Sequence, residues 1–170
     1  MAWVVLTGYM GAGKSTVGRA LAERLGRPLV DSDARIEQEA GLEIPRIFAT
    51  KGELWFRRTE ERAIRGILAE EPHGVLALGG GAVESDRTRD LLRRVAQVVW
   101  LRAPAASLWD RVAGSGRPLA TDEGRFARRL ERRMPRYAEV AGLTVDAEAP
   151  VEALVDEIAA WVAGRAEVAR

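Results

Sequence analysis

The sequence has no cysteine, one histidine and two lysines in 170 residues. Without thiols there is neither a disulfide nor a thiolate metal site. With His73 alone, a multi-histidine zinc site is excluded too. Its place between Pro72 and Gly74 reads as a solvated loop imidazole. No apolar run approaches the roughly 20 residues of a membrane span. The opening run Trp3-Val4-Val5-Leu6 is short and follows no basic stretch, so it does not read as a signal peptide. A soluble cytoplasmic protein is the expectation. Lys plus Arg (26) nearly balances Asp plus Glu (25), for a net charge of +1. That balance gives no global attraction for a polyanion. Lys14 and Lys51 are the two lysines, so the other 24 basic residues are arginines. The length suits about one domain, spanning 1–170, able to fold without staples.

Short apolar runs alternate with helical patterns. Val4–Leu6 reads as a buried strand ended by Gly8. From Lys14 to Leu25 the residues Val17, Ala20, Leu21 and Leu25 recur at helical spacing, and Gly26 ends the run. Pro28–Val30, Val75–Leu78, Gln97–Leu101 and Leu143–Val145 read as further strands. Residues 33–70 read as two or three helices broken near Gly41, Pro45 and Gly52. A last helix is expected from Val151 to Ala163, with a fraying tail from Arg165. Such alternation predicts an α/β fold: a parallel sheet of about five strands with helices on both faces. Two stretches stand out as mobile candidates, a helical insert near 32–60 and the glycine-rich 113–124.

Gly8-Tyr9-Met10-Gly11-Ala12-Gly13-Lys14-Ser15 matches the phosphate-binding loop G-x-x-x-x-G-K-[ST], with a strand before it and a helix after it. The glycines let successive backbone N–H groups turn toward phosphate, and the helix adds its positive dipole end. Lys14 is expected to reach the β- and γ-phosphates of a nucleoside triphosphate, and Ser15 to offer its hydroxyl to Mg²⁺. GTPases, motor ATPases and small-molecule kinases share this loop, so it selects no reaction.

Asp31 and Asp33 end the second strand. Alternation along an extended segment puts both on one side. One suits a Mg²⁺-bound water and the other an attacking hydroxyl; equally, one of them caps the helix that follows. Gly79-Gly80-Gly81 ends the third strand. It reads either as a flexible turn or as a place where a ligand approaches backbone N–H groups.

Taken in order, these motifs resemble the shikimate kinase family almost end to end. The resemblance is carried by Gly8–Ser15, Asp31-Ser32-Asp33, Ile47-Phe48-Ala49 with Gly52-Glu53, and Phe56-Arg57-Arg58. It continues through Gly79-Gly80-Gly81-Ala82-Val83, Arg117-Pro118-Leu119 and Arg133-Met134-Pro135-Arg136-Tyr137. Ala120, Arg46 and Trp55 depart from what is common in that family at their positions.

The resemblance implies a three-layer P-loop kinase fold with a substrate-binding segment at 32–60 and a lid at 113–124. It implies transfer of the ATP γ-phosphoryl group to the 3-hydroxyl of shikimate, a step of aromatic amino acid biosynthesis, with Mg²⁺. By position, Gly11, Ala12, Gly13, Lys14, Ser15 and Thr16 would hold ATP, with Arg111 against adenine and Arg117 reaching its phosphates from the lid. Asp33 would contact the shikimate hydroxyls. Arg57 and Arg133 would clamp its carboxylate beside Gly79, Gly80 and Gly81. Ser15 and Asp31 would serve Mg²⁺, and Lys14, Asp33 and Arg117 would be catalytic. A guanidinium fork fits a carboxylate in two parallel hydrogen bonds, and an Asp accepts from hydroxyls, so the chemistry agrees. Phe48 and Phe56 offer apolar ring faces, or simply pack a core.

The competing readings are a P-loop kinase for another small acceptor, such as gluconate or a nucleoside monophosphate, and a non-catalytic nucleotide-binding partner domain. The stretch 113–137 carries seven arginines and three acids, but only Phe126 and Tyr137 as aromatics. It therefore lacks the stacking platform of a nucleic-acid surface. A monomer binding no nucleic acid and no membrane is expected. Lys51, between Thr50 and Gly52, reads as a solvated loop residue.

Overall fold

A computed structural model of the chain describes residues 2–70, 72–116 and 120–168, with side chains up to Arg165. Arg117, Pro118 and Leu119, the whole motif of the expected lid, lie outside the described residues. Five strands form one parallel sheet in the order β2-β3-β1-β4-β5. They are β1 (Trp3–Thr7), β2 (Leu29–Asp31), β3 (Val75–Ala77), β4 (Ala96–Arg102) and β5 (Leu143–Asp146). The register runs Val4 to Val75 on one side of β1 and Val4 to Gln97 on the other. Trp3, Val4, Val5, Leu6, Val75 and Leu76 are almost fully buried, as expected for a parallel sheet covered on both faces.

The helices are α1 (Lys14–Leu25), α2 (Ser32–Ala40), α3 (Ile44–Leu68), α4 (Asp86–Val95), α5 (Ala105–Val112), α6 (Glu123–Val140) and α7 (Val151–Val168). Helix α1 packs on α7, and α4 packs on α6 and β4. The chain leaves β1 toward β2 on one side, then crosses from β3 to β4 on the other. The sheet therefore reverses direction beside β1, and ligands of such sheets gather beyond the carboxyl ends of the strands at that point.

Several local choices place the site there. Helix α2 begins one residue after β2, because the Asp31 carboxylate accepts from the N–H groups of Asp33 (2.9 Å) and Ala34 (3.3 Å). Helix α3 lacks a cap from its own Glu43, and Glu37 on α2 substitutes by accepting from the N–H of Ile44 at 2.8 Å. Gly52 kinks α3 with φ 83°, a conformation that strains any other residue. Ile36, Ile47, Phe56 and Ala63 form a small second core between α2 and α3.

Three expectations are corrected. Asp33 lies in the first turn of α2 rather than in an extended segment, because Asp31 ends the strand as a helix cap. Lys51 lies in α3 rather than a loop, with its ammonium 5.9 Å from the Trp55 ring. His73 is partly buried against Trp3, with ring centroids 6.2 Å apart. Helix α7 also runs five residues beyond the expected Ala163. Among the described residues, no helix is long and apolar enough to cross a membrane.

Candidate active site

The loop after β1, the start of α2, the kinked α3, the triple glycine after β3 and helices α5 and α6 enclose a cavity of about 650 Å³. Of the described residues expected in the site, Gly11, Gly13, Lys14, Ser15, Thr16, Asp31, Asp33, Arg57, Gly79, Gly80, Gly81, Arg111 and Arg133 all line it. Ala12 does not: its side chain is buried, and its N–H donates to the carbonyl of Tyr9 at 3.1 Å.

At the phosphate-loop end, Gly11 and Gly13 take φ of 85° and 88°, which lets the chain wrap tightly into α1. The Lys14 ammonium is folded back on this loop, donating to the carbonyls of Gly8 (2.7 Å) and Tyr9 (3.0 Å). The Ser15 hydroxyl donates to Asp31 Oδ2 at 2.8 Å. Asp31 thus caps α2, one of the roles open to it in the sequence, and also pairs with Ser15. Among the described residues no group of three or more His, Cys, Asp or Glu side chains could hold a metal by itself. A hydroxyl and one carboxylate are hard oxygen donors. They suit Mg²⁺, which keeps several waters and is usually completed by phosphates. Arg111 bridges the loop to the far strand, donating to the carbonyls of Gly11 (3.0 Å) and Ala147 (3.1 Å).

At the other end, two carboxylates face one glycine. A β-carbon on Gly79 would lie 2.5 Å from Glu60 Oε1 and 2.7 Å from Asp33 Oδ1. Both oxygens are buried without a hydrogen-bond partner. Such oxygens call for donors, and a hydroxylated ligand supplies them. Burial, then the charges of Glu60 and Asp31, push the Asp33 carboxyl from the usual 3.8 up to about 7, against the opposing pull of Lys14 and Arg57. Burial pushes Glu60 upward as well, opposed mainly by Arg57.

Two arginines flank the same glycines. Arg57 donates to Glu60 Oε2 at 2.7 Å, reaches Glu53 at 3.5 Å, and lies over the Phe56 ring. Its neighbour Arg58 faces solvent, so α3 selects one of the pair. Arg133 is buried and lies over the Tyr9 ring at 5.5 Å. It donates from Nε to Glu84 Oε1 at 2.6 Å and from Nη1 to the Gly80 carbonyl at 3.3 Å. The Tyr137 hydroxyl also donates to Gly80, at 2.5 Å. Within the triple glycine, the Gly79 N–H is not open to a ligand, because it donates to the Ser32 hydroxyl at 2.9 Å.

Sequence reasoning missed Glu60, Glu84 and Ser32. Only Glu60 left a trace, three residues after Arg57 on one helix, the spacing of a side-chain pair. Chemically, the cavity joins a polyphosphate cradle to a pocket with two cations and two hydrogen-bond-hungry carboxylates.

The shikimate kinase family profile matches residues 10–163. The chain is 44% identical to the shikimate kinase of Ruegeria pomeroyi, covering 97% of this chain and 87% of that one. It is 43% identical to that of Symbiobacterium thermophilum, covering 84% of each. Among solved structures, the shikimate kinase of Acinetobacter baumannii in complex with shikimate superimposes with a TM-score of 0.92 at 35% identity. That match covers 97% of this chain and 94% of the other.

Proposed function

The chain belongs to the shikimate kinase family, and from that premise we propose how its cavity carries out the reaction. The enzyme is an ATP-dependent kinase that transfers the γ-phosphoryl group of ATP to the 3-hydroxyl of shikimate, giving shikimate 3-phosphate and ADP. The observation that carries the residue assignment is the convergence of Asp33, Arg57 and Arg133 on the triple glycine, across one cavity from Lys14 and Ser15.

ATP lies in the phosphate loop, with Arg111 at its base end. Lys14 exchanges its loop carbonyls for phosphate oxygens. Ser15 and Asp31 would hold Mg²⁺, which would supply neutralisation of phosphate charge. Arg57 and Arg133 take the shikimate carboxylate, and Asp33 takes its hydroxyls. Phosphoryl transfer passes through a loose transition state, so positioning and charge neutralisation matter more than a strong base. Asp33 aims the 3-hydroxyl at the γ-phosphorus and accepts its proton late. Its raised pKa suits a group that alternates between two protonation states near neutrality. The residues 32–60 form the substrate-binding segment of a single domain, and 113–124 the lid. Arg117, which lies outside the described residues, is assigned to the ATP phosphates from its motif alone.

A monomer working in the cytoplasm completes the proposal. The monomer is supported by Leu54, Val95 and Val151 being the exposed large apolar side chains among the described residues, too few for an obligate interface. The test is ADP release from MgATP with shikimate, gluconate and nucleoside monophosphates in parallel. Turnover with shikimate is expected, and turnover with gluconate alone would overturn the reading.

A further inference from the structure

Glu84 belongs to none of the motifs above, yet it holds the acid end of the cavity together. It closes the 3-10 turn Ala82–Glu84 that follows the triple glycine. One carboxylate oxygen accepts from Arg133 Nε at 2.6 Å, and the other accepts from Arg136 Nη1. Arg132 reaches only 3.9 Å and is mostly solvated. The Arg133 side chain is 2% exposed but lines the cavity.

A guanidinium presents five N–H donors in a rigid fork, so fixing one edge sets the direction of the other. In Arg133, Nε is committed to Glu84. Its bond to the Gly80 carbonyl is long at 3.3 Å, and the Tyr9 ring restrains its plane without fixing rotation within it. A further contact, with the Tyr137 hydroxyl, is to a neutral group, so the charge-assisted bond to Glu84 is the strongest of these anchors. Its geometry also differs from that of a surface ion pair, which contributes little, because one partner is buried in the cavity wall.

We propose that Glu84 is a positioning residue for the acid substrate: by taking Nε of Arg133 it presents the terminal edge of that guanidinium to the substrate carboxylate. The inference rests on the assignment of Arg133 under the proposed function. Losing Glu84 frees the fork to rotate, and the cost falls on binding the acid rather than on phosphoryl transfer.

The test compares wild type with Glu84→Ala and Glu84→Gln in steady-state ADP release, varying shikimate and ATP separately. Glu84→Ala is expected to raise the shikimate KM about tenfold, the effect of losing one charge-assisted hydrogen bond. The kcat and the ATP KM should stay within about twofold. Glu84→Gln keeps an oxygen for Nε and is expected to recover most of the loss. A merely structural role would move both KM values together, or lower the melting temperature with no selective change. An unchanged or lowered shikimate KM in Glu84→Ala, or failure of Glu84→Gln to recover, would overturn the proposal. If circular dichroism shows Glu84→Ala unfolded, Glu84→Met, which fills a similar volume without an acceptor, takes its place with the same expectations. Absence of wild-type turnover with shikimate would instead overturn the functional reading, and this inference with it.

Discussion

The guanidinium of Arg57 lies across the α-carbon of Gly81: a β-carbon on residue 81 would sit 2.3 Å from Nη1 and 2.4 Å from Cζ. The obstacle is the far end of a flexible side chain rather than backbone. Gly81→Ala should therefore fold and displace the arginine instead. A melting temperature within a few degrees of wild type is expected, with a shikimate KM raised about tenfold or more and the ATP KM unchanged. A wild-type shikimate KM in this variant would remove Arg57 from the acid site.

Asp33 gives the pH dependence a definite sign. Its carboxyl titrates near 7 in the folded chain and near 3.8 when exposed. Between those values the folded state holds a proton that the unfolded state has released, so this group makes stability fall as pH rises from about 4 to about 7 and then level off. Asp33→Asn removes the buried charge and should raise the melting temperature, more at pH 8 than at pH 4. In activity the sign is reversed. Only ionised Asp33 accepts a hydroxyl proton, so wild-type kcat/KM for shikimate should rise with pH through about 7. Asp33→Asn should be nearly inactive with no such inflection. Melting curves and pH–rate profiles check both, and a flat wild-type profile from pH 5.5 to 8 would contradict the role given to Asp33.

Lys14 is bonded to the carbonyls of Gly8 and Tyr9 on its own loop, so the charge is already placed at the phosphate end of the cavity. Lys14→Ala should lower kcat by about 10²- to 10³-fold, the range for removing one preorganised donor. Lys14→Arg should not restore it, because a broad planar guanidinium replaces a compact ammonium between phosphates. Single-turnover phosphoryl transfer measures this directly, and a wild-type rate in either variant would refute it.

The sheet was legible in the sequence because each strand is a short apolar run closed by glycine, an acid or a turn. Val4–Leu6, Val75–Leu78 and Gln97–Leu101 each lie within a residue or so of the strand found. The phosphate loop was legible because its glycines, lysine and serine are fixed in spacing by the phosphates they surround. Asp33 lines the cavity, but from the first turn of a helix rather than from an extended segment. Period-two reasoning cannot see that the Asp31 carboxylate starts a helix one residue on. Glu60 and Glu84 were not legible, because a chain rich in Glu and Arg offers many pairs. Only the fold decides that Glu60 meets Asp33 over Gly79, or that Glu84 meets Arg133 across 49 residues. Of the two lysines in this arginine-rich chain, Lys14 lines the cavity, at the place where the proposed function asks for a slim cation.

The central claim is that Arg57 and Arg133 make this a kinase for a carboxylate-bearing acceptor. The most direct test is kcat/KM for shikimate against its methyl ester, measured by ADP release at saturating MgATP. The ester keeps the ring and every hydroxyl but loses the negative charge. A loss of about 10²-fold or more is predicted for the ester, since two charge-assisted contacts are removed. Equal kcat/KM for acid and ester would contradict the account.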